Sequence, residues 1–237
     1  MQSYSILAKY YDRLMGDFDY DGYIDFIKDY VKGEGIDLAC GSGEITVRLA
    51  KAGNKMIGID LSGEMLNVAT VKAKSMGLDI KWICQDMLDL ELSHKIDFAT
   101  CVCDGINYIK KDDLATLFAK VRQNIKDGGI FVFDISSSYK LKKILGDNLF
   151  CEDYDDITYI WQNTLKKDCV DMDIDFFEKI EKDVYRRIEE SHRQYIHERE
   201  FIQSLIEKNW DFEVFDGEKF SSPTSKSKRL LFVLKAK

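Results

Sequence analysis

Two glycines and one aspartate carry the clearest chemical signal in the chain. Gly41 and Gly43 stand in the run Cys40-Gly41-Ser42-Gly43, and Asp60 follows 17 residues after Gly43. Glycine belongs where the backbone turns sharply and a ligand must come close without a Cβ in the way. A loop of this kind that opens a helix presents unpaired N–H groups, a seat for a carboxylate or a phosphate. A carboxylate at the end of the next strand, as Asp60 is, can accept hydrogen bonds from ribose hydroxyls, and nicotinamide-binding folds pair the same two devices. The G-x-G-x-x-G fingerprint asks for a third glycine at position 46, where this chain has Thr46. The loop alone therefore leaves open a nucleotide site or a structural turn.

Other reactive groups are sparse. Six cysteines form no C-x-x-C pair, and with only three histidines (His94, His192, His197) no metal-binding pattern can be assembled. Cys84 and Cys101 fall in apolar strand-like runs, where buried free thiols are ordinary. The charge is unevenly placed. The formal net charge is −8, and between Asp147 and Asp183 twelve acids stand against four bases, so the rest of the chain is neutral. An acidic chain argues against nucleic acid as a partner, because displacing counterions takes a surplus of Lys and Arg. Within Cys169–Phe177, Asp171, Asp173 and Asp175 alternate with Val170, Met172, Ile174 and Phe176, so a strand there carries carboxylates on one face and apolar groups on the other. Such a row keeps an edge strand soluble or attracts a cationic ligand.

The elements that must position these residues follow from hydrophobic spacing. With 237 residues, 45% hydrophobic and 32% charged, one globular domain or a domain with a sub-domain is expected. There is no run of about 18 apolar residues to span a membrane and no leader pattern in residues 1–16, so the expected location is the cytoplasm. A helix is predicted over 23–31 after a Tyr- and Asp-rich lead-in, then a strand over 35–39, a helix over 44–52, a strand over 55–60, and a helix from the Ser62 cap to about Met76. Strands over 80–84 and 96–102, a helix over 112–125, the stop Asp127-Gly128-Gly129 and a strand over 130–135 continue the alternation. Strands as continuously apolar as Ile130-Phe131-Val132-Phe133 are buried on both faces. The fold is therefore a doubly wound α/β sheet, mostly parallel.

From about Phe150 the grammar changes to three extended stretches, 157–165, 169–177 and 184–195, joined as an antiparallel meander. A helix over 197–209 and strands over 212–215 and 230–235 then resume the sheet, the last two as a hairpin. The expected organisation is a main domain of residues 1–149 and 196–237 with a β insertion of residues 150–195 after the fifth strand.

Several segments in register sharpen the glycine-loop reading. Asp37-Leu38-Ala39-Cys40-Gly41-Ser42-Gly43, Gly58-Ile59-Asp60-Leu61-Ser62 and Gln85-Asp86-Met87 come in the order and spacing of the motifs of class I S-adenosylmethionine-dependent methyltransferases. The chain resembles that family over residues 4–136, with Tyr10-Tyr11-Asp12, Asp104-Gly105-Ile106-Asn107-Tyr108 and Gly128-Gly129 in support. The end, Arg229–Lys237, fits the family's antiparallel final strand. The resemblance implies S-adenosyl-L-methionine as cofactor and a seven-stranded Rossmann-like sheet. It places the methionine carboxylate at Gly41–Gly43 and the ammonium at Ala39 with Asp37 nearby. The ribose falls on Asp60 and the adenine on Leu61, with Asp86 and the Met87 N–H at its polar edge. Tyr11 and Tyr20 are candidates to close over the sulfonium, since aromatic faces attract cations.

For the methyl acceptor the resemblance is less specific. The family's transfer-site stretch corresponds to Cys103-Asp104-Gly105-Ile106-Asn107-Tyr108, which places Cys103 beside the cofactor and Asp104, Asn107 and Tyr108 along the transfer site. No Asn/Asp-Pro-Pro-Tyr box is present. The β insertion resembles the lid of small-molecule methyltransferases of the sugar-amine and glycine types. That implies a small-molecule acceptor, preferably an amine, which the acidic row would favour as a cation. His192, on a lid strand beside Trp161, Arg186, Arg187 and Tyr195, is a candidate acceptor-site base or a solvated histidine. Lys226, Lys228 and Arg229 read as a short solvated basic tail. The alternatives are a methyltransferase acting on RNA or protein, and a cofactor-binding regulator without turnover.

Overall fold

The computed structural model describes residues 5–16 and 18–237. In chain order the elements are α1 (Ser5–Leu14), α2 (Tyr20–Ile27), β1 (Glu34–Leu38), α3 (Glu44–Lys51), β2 (Lys55–Asp60), α4 (Gly63–Ser75), β3 (Lys81–Cys84), β4 (Ile96–Cys101), α5 (Leu114–Asn124) and β5 (Ile125–Ser136). Next come β6 (Leu149–Asp153), β7 (Ile157–Leu165), β8 (Cys169–Glu181) and β9 (Val184–Tyr195), then α6 (Arg199–Ile206), β10 (Trp210–Asp216) and β11 (Arg229–Ala236).

Seven strands form one sheet in the order β10-β11-β5-β4-β1-β2-β3. β11 runs antiparallel to both of its neighbours, and the pairs among β1 to β5 are parallel. This is the doubly wound Rossmann-like sheet that the alternation implies. Its central strands carry apolar runs because both faces are covered: Ile36, Leu38, Phe131 and Phe133 are fully buried. The Phe133 and Phe232 rings stack at 4.8 Å where β5 meets β11, locking the one antiparallel strand to the sheet's centre. Ser62 caps α4 by accepting from the Met65 N–H, and Gly77, at φ +68°, lies just beyond its end.

The second sheet, β6-β7-β8-β9, is wholly antiparallel and inserted between β5 and α6. One face packs on α1 through Tyr10, Ile157 and Phe176, and on a π-helical turn, Lys140–Leu145, through Leu141, Leu145, Val170 and Met172. The strand β6 and that turn were not legible in the sequence: the strand is rich in acid and largely exposed, and pairing with β7 alone makes it a strand. The lead-in is a helix, α1, and α2 starts at Tyr20, where the Asp19 side chain caps it by accepting from Gly22 N at 2.9 Å. The helix expected from His197 starts at Arg199, with His197 buried just before it. Cys84 is exposed, contrary to its apolar context, because β3 is the sheet's edge strand.

The acidic row needs a correction. Asp171, Asp173 and Asp175 lie on the face opposite Val170, Met172 and Phe176, which are the residues that pack inward. Their carboxylates are also taken: Asp171 by Arg193 and Lys166, Asp173 by the Ser191 hydroxyl, Asp175 by Arg187. A row of carboxylates already paired and turned outward keeps a sheet face soluble and offers a guest beneath the sheet nothing.

Candidate active site

The glycine loop sits where β1 ends. Ala39, Gly41 and Gly43 all have left-handed backbone, at φ +51°, +53° and +79°. At Gly43 a Cβ would come within 2.8 Å of the Trp82 ring and 2.9 Å of the Ala69 methyl, so glycine is required there twice over. Gly43 also caps α3 with backbone alone, leaving the helix's first N–H groups unclaimed by its side chain. Asp60 reaches across from β2: one carboxylate oxygen accepts from Gly41 N and the other from Ser62 N, both at 2.8 Å. It thus ties the loop to the start of α4 while keeping an open lone pair on each oxygen.

Beneath the loop, Asp37 is buried and accepts from the Thr46 and Thr100 hydroxyls at 2.6 and 2.7 Å. Burial pushes its carboxyl up to about 6, against the pull of those two donors. A cavity lies here, lined by Tyr11, Tyr20, Asp37, Ala39, Gly41 and Cys103, among others. Burial also raises both tyrosine hydroxyls above their ordinary range, so they stay uncharged phenols. Next to the loop lie the carboxyl ends of β2 and β3, where ligands bind in open α/β sheets. Leu61 is 66% exposed. Gln85 N donates to the Asp60 carbonyl at 3.0 Å, which brings the Asp86–Met87 segment alongside. Asp86 accepts from Leu88 N at 2.9 Å and Met87 begins a single 3-10 turn. An exposed aliphatic side chain, a carboxylate with open lone pairs and a glycine cradle suit an adenosine joined to an amino-acid end.

Opposite the loop, Cys103 and Asp104 are consecutive left-handed residues, φ +64° and +67°. A buried charge network holds them there. Asp134 accepts from Cys103 N, Asp104 N and the Tyr23 hydroxyl, at 3.1, 2.8 and 2.8 Å. Arg229 bridges Asp134 and Asp104 at 2.6 and 2.7 Å, with Phe18 over its guanidinium. Burial opposes ionisation of Asp104, but Arg229 and Lys140 overcome it and lower its carboxyl pKa. Sequence reasoning missed Asp134 and took Arg229 for a solvated tail. The available signal was a charge inside each of two apolar runs, Phe133-Asp134-Ile135 and Arg229-Leu230-Leu231.

After this turn, Asn107 is fully buried. Its amide donates to the Ser136 and Tyr195 carbonyls at 3.3 and 2.9 Å and accepts from Ser136 N at 2.8 Å. The structure therefore makes it a brace between β5, β9 and the turn Gly105–Tyr108. Tyr108 is exposed, with its ring edge-on to His192 at 6.2 Å. His192 faces Glu190 at 3.4 Å. Of the sequence-derived residues, Tyr11, Tyr20, Asp37, Ala39, Gly41 and Cys103 share one cavity, Gly43, Asp60, Leu61, Asp86 and Met87 lie at or just after the ends of β1, β2 and β3, and Tyr108 meets His192 of β9. Among the described residues no three His, Cys, Asp or Glu side chains converge to hold a metal, and no helix is long and apolar enough to cross a membrane.

The chain is similar to methyltransferases over nearly its whole length. A family model described as "Methyltransferase domain" matches residues 36–129. The chain is 35% identical to "Putative methyltransferase YqeM" of Bacillus subtilis (strain 168), covering 97% of this chain and 95% of that one. A protein of the same description from Geobacillus sp. (strain WCH70) is 31% identical over 98% of this chain and 99% of its own length. The crystal structure of an S-adenosylmethionine-dependent methyltransferase from Clostridium acetobutylicum superposes with a TM-score of 0.89, at 34% identity and 98% coverage of both chains.

Proposed function

The chain belongs to the class I S-adenosylmethionine-dependent methyltransferases, and from that membership we propose that it methylates a small molecule held between the cofactor cleft and the β6–β9 sheet, with an amine as the accepting group. S-adenosylmethionine supplies a methyl group on a sulfonium, already activated for in-line displacement, so the protein contributes proximity and orientation. The Gly41–Gly43 loop and the first N–H groups of α3 seat the methionine carboxylate, with Asp37 and the Ala39 carbonyl toward its ammonium. Asp60 takes the ribose hydroxyls, Leu61 covers the adenine, and Asp86 with the Met87 N–H reads its edge. Tyr11 and Tyr20 exclude water over the reacting centre.

One observation carries the acceptor's location. The turn that lends Cys103 to the cavity wall ends at Tyr108, and Tyr108 meets His192 on the underside of the second sheet. That sheet, residues 150–195 of the expected insertion, acts as the lid over the acceptor. Relatives that match part of the chain include an N,N-dimethyltransferase of a dTDP-amino sugar, 27% identical over 42% of this chain, and a ubiquinone biosynthesis O-methyltransferase, 32% identical over 41%. The amine is favoured because, once neutral, its lone pair needs no further activation, whereas a hydroxyl often needs a base or a metal at the moment of transfer. Methyl-labelled cofactor incubated with a small-molecule extract, bulk RNA and bulk protein tests the reading. Label in the small-molecule fraction supports it, and label in RNA or protein contradicts it.

A further inference from the structure

The inward face of the lid carries an unusual set of polar groups. Strand register places Trp161 and Glu190 on either side of Ile174, and Asn163 and His192 on either side of Met172, with Gln194 one step further along β9. The Glu190 and His192 side chains are only 1% and 5% exposed. Trp161 Nε1, Asn163 Oδ1 and Gln194 Oε1 are buried with no hydrogen-bond partner among the described residues. A buried polar atom left unbonded is destabilising. Several together on one face beside a cleft mark groups that meet a ligand. The face is rich in oxygen acceptors, with a carboxylate and two amide oxygens against a single indole N–H, so its complement is a guest rich in donors. Its position is fixed: Asn107 pins Tyr195, at the end of β9, to the turn bearing Tyr108, and Tyr108 touches His192.

We propose that Glu190, His192 and Trp161 form the acceptor subsite and that it takes a small primary or secondary amine, cationic in solution; this rests on the methyl-transfer reading above. Glu190 pairs with the ammonium, and the Trp161 N–H donates to an oxygen of the same molecule. His192 takes one proton from the ammonium. The freed nitrogen lone pair then bonds to the methyl carbon while the C–S bond breaks, its electron pair passing to sulfur. The products are a methylated ammonium and a neutral thioether, and His192 returns its proton to water. The carboxylate that matters is thus not in the outward acidic row but on the next strand, facing the other way.

The test compares wild type with Glu190→Gln, His192→Asn and Trp161→Phe. Each is given methyl-labelled cofactor and either the cation-exchange-retained fraction of a bacterial small-molecule extract or the flow-through. Calorimetry with S-adenosylhomocysteine reports on the cofactor seat of each variant. Label should enter the retained fraction. Glu190→Gln should raise the apparent KM about tenfold with a smaller effect on kcat, and His192→Asn should lower kcat about tenfold with KM little changed. Trp161→Phe should raise KM by a smaller factor, and every variant should bind S-adenosylhomocysteine as wild type does. Label confined to the flow-through, or wild-type transfer by both Glu190→Gln and His192→Asn, overturns the subsite while leaving the methyl-transfer reading intact. Cofactor binding with no label in either fraction overturns that reading and the subsite with it.

Discussion

Asp37 is the residue whose environment most directly sets a measurable property. Burial raises its carboxyl from the ordinary 3.8 to about 6. It is therefore charged at neutral pH and protonated in mild acid, and only the charged form attracts the cofactor's ammonium. Affinity for S-adenosylhomocysteine should weaken as the pH falls through about 6, and Asp37→Asn should remove that dependence, both read by calorimetry. A wild-type affinity flat between pH 5 and 7.5 would refute the assignment. The ligand-free chain responds in the opposite sense. Folding favours the protonated acid, so the stability that this group contributes in acid is lost as pH rises from 3.8 to about 6. At this scale the sequence was informative where backbone geometry demands one residue type. Gly43 cannot be anything else, and Asp60 follows from its place at a strand end. Asn107 was legible as important but not as a brace, because its role depends on two carbonyls from distant strands.

At the scale of elements, α1 has a part that its sequence does not announce. Asp12 accepts from the Ser42 hydroxyl and from Lys72 on the cofactor side. One turn away, Lys9 and Tyr10 donate to Glu178 on the lid, which Arg186 also grips, and Arg13 reaches Asp156. Tyr11 between them lines the cavity. The helix is a strap joining glycine loop to lid, so releasing one end should loosen the site. Glu178→Gln should speed hydrogen exchange in residues 5–14 and hasten S-adenosylhomocysteine dissociation several-fold. Unchanged exchange there would show that the lid contact does not hold the helix. The sequence could not display this, since a short helix mixing Tyr, Asp, Lys and Arg is stabilised by its partners rather than by propensity. The central strands, by contrast, were legible because burial on both faces leaves continuous apolar runs punctuated by glycine.

At the scale of the whole molecule, a net charge of −8 falls between Asp147 and Asp183, a span that holds most of the inserted sheet, and strand parity decides what that charge can do. The three aspartates of β8 point outward onto their own cations and hydroxyl, while Glu190 on β9 points in. Replacing Asp171, Asp173 and Asp175 together by Asn should therefore leave the acceptor KM unchanged at low and high salt. A salt-dependent rise would restore the row to the acceptor site. Alternation along a strand was readable from sequence, but which face turns toward the site depends on packing against α1 and the Lys140–Leu145 turn, which only the folded chain supplies. The central claim is that the Gly41–Gly43 loop and Asp60 hold S-adenosylmethionine for transfer beneath that sheet. Calorimetric titration of wild type and Asp60→Ala with S-adenosylmethionine tests it most directly. One-to-one binding by wild type and its loss in Asp60→Ala is the predicted result, and equal affinity in the two proteins would contradict the account.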